Sequence, residues 1–179
     1  DSFKNWRNIE AVGGRRIKRA INIDATSVGF ASDEELARLR RARLLSDYIE
    51  TKAAEIQQAN QAEGSDPSSP MNTRRLTNLG ILRAYLTAYL ADSPNINHDL
   101  TFMVRQLEAG PNGIPLQVYG FANQTSWVPY ENIQSDIFDH IYAIIPEFGL
   151  RLHQAPSGHD VQRAAARLAS GTGHTQPTE

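Results

Sequence analysis

Three observations in the 179-residue sequence predict an α+β fold. In Arg15–Asp24, Ile17, Ile21 and Ile23 fall on one side of a two-residue period while Lys18, Asn22 and Asp24 fall on the other, the pattern of a half-buried strand. Leu100–Leu107 and Ile114–Phe121 are short apolar-rich runs joined by EAGPNG, whose glycines and proline suit a hairpin connection. Tyr130–Gln154 is an amphipathic helix that runs through a glycine stop into a short apolar strand, Leu150–Gln154. The order strand, helical crossover, hairpin, helix, strand is β-α-β-β-α-β, a ferredoxin-like sandwich whose helices cover one face of an antiparallel sheet.

In chain order, Gly13 and Gly14 break the chain before the first strand. Ser32 with Glu35 three residues later makes a capping box, and Leu36, Leu39, Leu45, Ile49 and Ile56 predict one long, rather polar helix to about Ala62. EGSDPSSPMN, residues 63–72, is a loop. Leu79, Leu82, Leu86 and Leu90 then form the stripe of a second amphipathic helix, with Tyr85 and Tyr89 beside it, ending near Asp92 and Pro94. The first crossover, about 25–99, is thus overlong for the simple fold. Pro115 favours an edge or first ladder position for its strand.

The last long helix starts at Pro129, a residue suited to a first helical turn. It carries Ile133, Ile137, Ile141, Ile144 and Phe148 on one stripe, which Glu131, Gln134, Asp136 and Asp139 avoid. Pro146 lies inside its last turn, so a kink or early end is expected near Ile145. Trp127 and Tyr130 are expected to make a hydrophobic contact at its entry. From Ala155 on, Gly, Ser, Thr, Pro and Ala dominate; a stray helix over Val161–Leu168 is compatible with a tail otherwise expected to fray.

Composition narrows the function. Hydrophobic residues make up 40% and charged residues 21%, so neither disorder nor a fibrous repeat is indicated. With no cysteine, disulfides, thiolate metal sites and cysteine nucleophiles are all excluded. No apolar run approaches the roughly 20 residues a membrane-spanning helix needs, so the chain is expected to be soluble. A net charge of −2 gives no global reason to expect nucleic acid as a partner. Charge is uneven, however: residues 1–19 hold Lys4, Arg7, Arg15, Arg16, Lys18 and Arg19 against Asp1 and Glu10, net +4. The start at Asp1 without methionine, followed at once by Phe3, Trp6 and Ile9, suggests a fragment whose aromatic residues seek a surface elsewhere.

Candidate chemistry is sparse. His98-Asp99 and Asp139-His140 are the only adjacent acid and imidazole pairs, with His153 and His159 near the last strand. None has the spacing of a metal site, and adjacent helical residues such as Asp139 and His140 point to different sides. No GxSxG or GxGxxG occurs, and Gly13-Gly14 lacks the flanking strand and helix of a phosphate loop. No catalytic, metal or cofactor-binding residue is therefore assigned, no cofactor is expected, and the chain is read as a non-enzyme. The RRIKR run, Arg15–Arg19, reads as a solvated strand face rather than a nucleic-acid or lipid site. Tyr119 and Phe121 in VYGF lie on one side of their strand, opposite Val118, in passing likeness to the stacking aromatics of an RNA-recognition motif. Alternation alone leaves open which side is core.

FKNW at Phe3–Trp6, GGRRIKR at Gly13–Arg19, RRLTNLG at Arg74–Gly80, VRQL at Val104–Leu107 and DIFDHIYAIIPEFGLRLHQ at Asp136–Gln154 stand in one order along the chain. Together they resemble the cytosolic C-terminal region of bacterial mechanosensitive channels of the MscS type, in the YbdG-like miniconductance subgroup. The likeness covers 1–24 and about 73–160; the helix from Ser32 and its loop match loosely.

That resemblance implies three regions. Residues 1–15 are the end of a small truncated β-domain. Residues 16–154 are the α/β ferredoxin-like cytosolic domain, with a helical insertion at about 32–99. Residues 155–179 are a flexible tail. It further implies a homo-oligomeric ring, usually a heptamer, on the cytoplasmic face of the bacterial inner membrane. The ring encloses a vestibule for permeating ions and small solutes, and membrane helices lie upstream. The domain then contributes to subunit assembly, the vestibule and gating modulation during osmotic downshock. The alternative is a stand-alone ferredoxin-like module for a small ligand or RNA.

Overall fold

The computed structural model describes residues 13–64 and 66–171, so Phe3, Trp6, Ile9 and most of the expected β-domain end lie outside the described residues. Its architecture is α+β. Strands β1 (Arg15–Ile23), β2 (Met103–Gln106) and β3 (Ile114–Ala122) form an antiparallel sheet in the order β1-β3-β2. The helices are α1 (Asp33–Leu39), α2 (Ser46–Glu63), α3 (Asn78–Asp92), α4 (Trp127–Ile144) and α5 (Gly158–Gly171), with short 3-10 turns at Ala25–Ser27 and Ile145–Phe148.

The two-residue period of β1 does what its sequence asks. Ile17, Ile21 and Ile23 are buried, and they sit opposite Gly120, Leu116 and Ile114 of β3. With Val104, Leu116 and Val118 they join Leu82, Leu86 and Leu90 of α3 and Ile137 and Ile141 of α4 in one core. Each such side chain contributes about 1.5–3 kcal/mol on full burial. Gly14 is needed for close approach: a Cβ there would strike the carbonyl oxygen of Ala122.

Four segments depart from the sequence expectation. The single helix expected from Ser32 to about Ala62 is broken by turns between Leu39 and Ser46. Both Leu39 and Leu45 are buried, and six residues of continuous helix would set them about 120° apart around the axis, so the break lets both reach the core. Half of the capping box forms: the Glu35 N–H donates to Ser32 Oγ at 3.1 Å, and the Glu35 carboxylate takes its hydrogen bond from that hydroxyl at 3.0 Å.

The strand expected over Leu150–Gln154 is reduced to one bridge, Leu152 opposite Ile23 on the outer edge of β1. The Asp24 N–H donates to Arg151 O (2.8 Å) and the His153 N–H to Asn22 O (2.9 Å). Third, Trp127 does not make the expected entry contact: it is the first residue of α4, 65% exposed, with its indole N–H on Glu131 Oε1. Tyr130 does pack against the core, and its hydroxyl donates to the Arg16 carbonyl at 2.7 Å. Fourth, the helix expected at Val161–Leu168 runs longer, Gly158–Gly171, and all its residues are exposed.

Pro146 acts as expected. The last α-helix of the core ends at Ile144, and a 3-10 turn closes on Gly149, whose φ of 67° requires glycine. The overlong crossover is tied down by Asn78, a buried polar residue. Its Nδ2 donates to Ser27 O (2.9 Å) and its Oδ1 accepts from the Gly29 N–H (3.0 Å), tying the start of α3 to the segment that leaves β1.

Candidate functional site

The expected imidazole and acid pairs do not form sites. His140 is drawn away from Asp139 into an aromatic nest, with Nε2 2.7 Å from the Tyr85 hydroxyl and its ring stacked on Tyr89 at 4.3 Å and 5°. Asp139 is exposed. Burial lowers the His140 pKa and raises those of Tyr85 and Tyr89, which favours the neutral imidazole in its hydrogen bond with the Tyr85 hydroxyl. His98 lies 2.9 Å from the Leu90 carbonyl oxygen, to which its Nε2–H donates, and meets Phe102 at its edge, so it closes the end of α3. Asp99 accepts no proton from it; its own N–H is held by Asn97 Oδ1. Among the described residues, no group of three His, Asp or Glu side chains is gathered as metal ligands.

The basic run Arg15–Arg19 divides between the two faces of the sheet. Arg15 and Arg19 turn toward the helices. Arg15 donates through Nε to Thr125 O (2.7 Å), and the Arg19 guanidinium lies 4.7 Å from the Phe138 ring centre. Arg16 and Lys18 are exposed on the opposite face. The ladder register puts Arg16 beside Phe121 and Lys18 beside Tyr119, and Met103 of β2 on the other side of Tyr119. Val118 is core, so the open question about VYGF has an answer: Tyr119 and Phe121 face away from the helices. Their rings meet edge to face, 5.9 Å apart at 89°. Arg105 completes the face, its Nε donating to Gln117 Oε1 at 2.8 Å.

This sheet face holds Gln117, which is buried. It combines Met103, Tyr119 and Phe121, all half-buried, with the exposed cations Arg16, Lys18 and Arg105. A second surface has the complementary chemistry. The side of α4 turned from the core exposes Val128 and Tyr142 beside Glu131 and Asp139, Trp127 is exposed at the first residue of the helix, and α4 contains neither Lys nor Arg. Half-buried large aromatics bordered by charge are the composition of interface cores. Sequence reasoning named Trp127, Glu131 and Asp139 without joining them into a surface, and it passed over Val128 and Tyr142. The signal was present in the absence of any cation over Trp127–Ile144.

The chain was compared with protein-family models, and none matches it. Among the described residues no helix is long and apolar enough to cross a membrane.

Proposed function

We propose that the chain is an assembly domain: the cytosolic region of an MscS-type mechanosensitive channel of the YbdG-like subgroup, packing against further copies of itself below a tension-gated pore. The observation that carries this reading is the pair of unequal surfaces on one chain, an aromatic and basic sheet face and an aromatic and acidic helix face. Because they lie on opposite sides of the domain, each copy can offer one to the next. Such a contact is heterologous, and heterologous contacts close into rings when the rotation permits. Charge of opposite sign on the two faces fixes which meets which.

The ferredoxin-like reading belongs to the same proposal. The strand order β1-β3-β2 and the bridge from Leu152 to the free edge of β1 support a four-position antiparallel sheet with its last strand cut short. Tension-gated loss of ions and solutes during osmotic downshock would then be the activity of the assembled parent, and the present chain its subunit-packing and vestibule part.

The test is electrical. The parent gene that this reading requires, encoding membrane helices together with this chain, is expressed in bacterial cells stripped of their own mechanosensitive channels, and membrane patches are stretched by suction. A pressure-dependent conductance that changes on reversing Arg16 and Lys18 to Glu is expected. No conductance at any pressure short of patch rupture would contradict the channel reading.

One observation favours a second reading. Tyr119, Phe121 and the three cations also suit stacking on unpaired bases, which would make this a stand-alone RNA-binding module. Retention of the chain on single-stranded RNA at 0.15 M salt, lost in Tyr119→Ala, would favour it over assembly.

A further inference from the structure

The long crossover holds a cleft that the assembly reading does not use. Between α2 and the start of α3 lies a cavity of about 360 Å³. Tyr48, Ile56 and Leu76 give it an apolar back wall, and Lys52, Arg74, Arg75 and Arg83 line it as cations against one carboxylate, Glu55. That carboxylate is already engaged, 3.2 Å from Lys52. Arg74 reaches Glu63 only at 3.5 Å, and no carboxylate among the described residues lies within salt-bridge distance of Arg75 or Arg83. The cleft therefore carries an excess of positive charge in a chain whose net charge is −2.

The cations are held rather than scattered. Asn60 grips the Arg74 backbone from both sides, its Oδ1 accepting from the Arg74 N–H (2.9 Å) and its Nδ2 donating to the Arg74 carbonyl (3.2 Å). Arg75 donates through Nε to Thr73 Oγ1 (2.9 Å) and through Nη2 to Pro67 O (3.2 Å). These two bonds use two of the five guanidinium N–H donors and fix the plane of the fork, leaving three donors for a ligand. A planar fork held next to further cations matches the oxygens of a phosphate. The volume falls at the lower end of small-molecule clefts.

We propose that this cleft binds a phosphate-bearing anion, with Arg75 and Arg83 as its main contacts and Lys52 and Arg74 completing the charge. The ligand chemistry is a phosphate group on a compact body. A soluble phosphoester and a phosphomonoester lipid headgroup share it, and the experiment separates them.

The full chain is titrated calorimetrically with inorganic pyrophosphate. In parallel it is sedimented with phosphatidylcholine vesicles, with and without phosphatidic acid. Variants are Arg75→Gln with Arg83→Gln, Lys52→Gln alone, and Arg16→Gln with Lys18→Gln on the sheet face; thermal melts check that each is folded. Saturable pyrophosphate binding that weakens at least tenfold in the Arg75/Arg83 variant, and less in Lys52→Gln, while the sheet-face variant binds normally, supports a soluble ligand. Binding only to vesicles containing phosphatidic acid, with the same dependence, supports a headgroup. Neither kind of binding, or binding indifferent to both the Arg75/Arg83 and the Lys52 changes, overturns the proposal. Because binding is read directly, these outcomes do not depend on ring formation or conductance.

Discussion

Asn78 carries more structural weight than any other buried polar residue of the crossover. It bonds Ser27 and Gly29 from the first turn of α3, and no buried polar side-chain atom among the described residues is left without a partner. Asn78→Ala strips the Ser27 carbonyl and the Gly29 N–H of their partner at once. A loss of about 1–3 kcal/mol is expected, seen as a lower midpoint in urea unfolding with unchanged slope. His140 gives a pH signature. Its folded pKa lies below the usual imidazole value because the ring is desolvated between Tyr85 and Tyr89, so the unfolded chain takes up the proton first on acidification. Its contribution is complete above the ordinary value of 6.5 and is lost as pH falls from there toward the folded pKa. Melting temperature should thus drop as pH falls below about 6.5, and His140→Gln should flatten that part of the profile; an equally steep profile in the variant would remove His140 as the cause. Part of this scale was legible in the sequence. The parity of Tyr119 and Phe121 against Val118 could be read directly, but which side met helices could not, because one strand's alternation carries no information about what covers it. Asn78 was silent, since a polar residue opening an apolar helix looks like any surface turn.

At the scale of elements, periodicity located every helix and strand of the core, and it failed where tertiary packing overrode it. Leu36 to Ile56 read as one helix because its leucines recur at roughly helical spacing, yet burial of both Leu39 and Leu45 demands a break. Leu150–Gln154 read as a strand, and only Leu152 finds a partner. α5 shows a different balance. Val161, Ala164, Ala165 and Leu168 share one face of a helix in which every residue is exposed. Helices of this length are marginal in water without a packed face. A chain ending at Pro156 should therefore melt at the same temperature as the full chain, within about 1 °C, because α5 contributes nothing to the core. A fall of several degrees would show that α5 packs on the domain.

The whole molecule presents a finished core between two unfinished surfaces. Phe138, Ile141, Leu82 and Leu86 leave the sheet and helices with little apolar area to hide internally. Among the described residues, Trp127 at 65% and Tyr142 at 46% exposure stay open at the surface, and Tyr119 and Phe121 across the sheet are only half-buried. None of this pairing was legible in sequence, because it depends on which faces of α4 and the sheet remain after the core has formed. The central claim is that these faces join copies of the chain. It is tested most directly by the solution mass from light scattering across a concentration series, at low salt and again at 0.5 M salt. The account predicts a mass that rises with concentration toward several times the 19.9 kDa of one chain, near sevenfold for the ring, and falls at high salt as the charged faces are screened. A mass of one chain at every concentration and salt would contradict it.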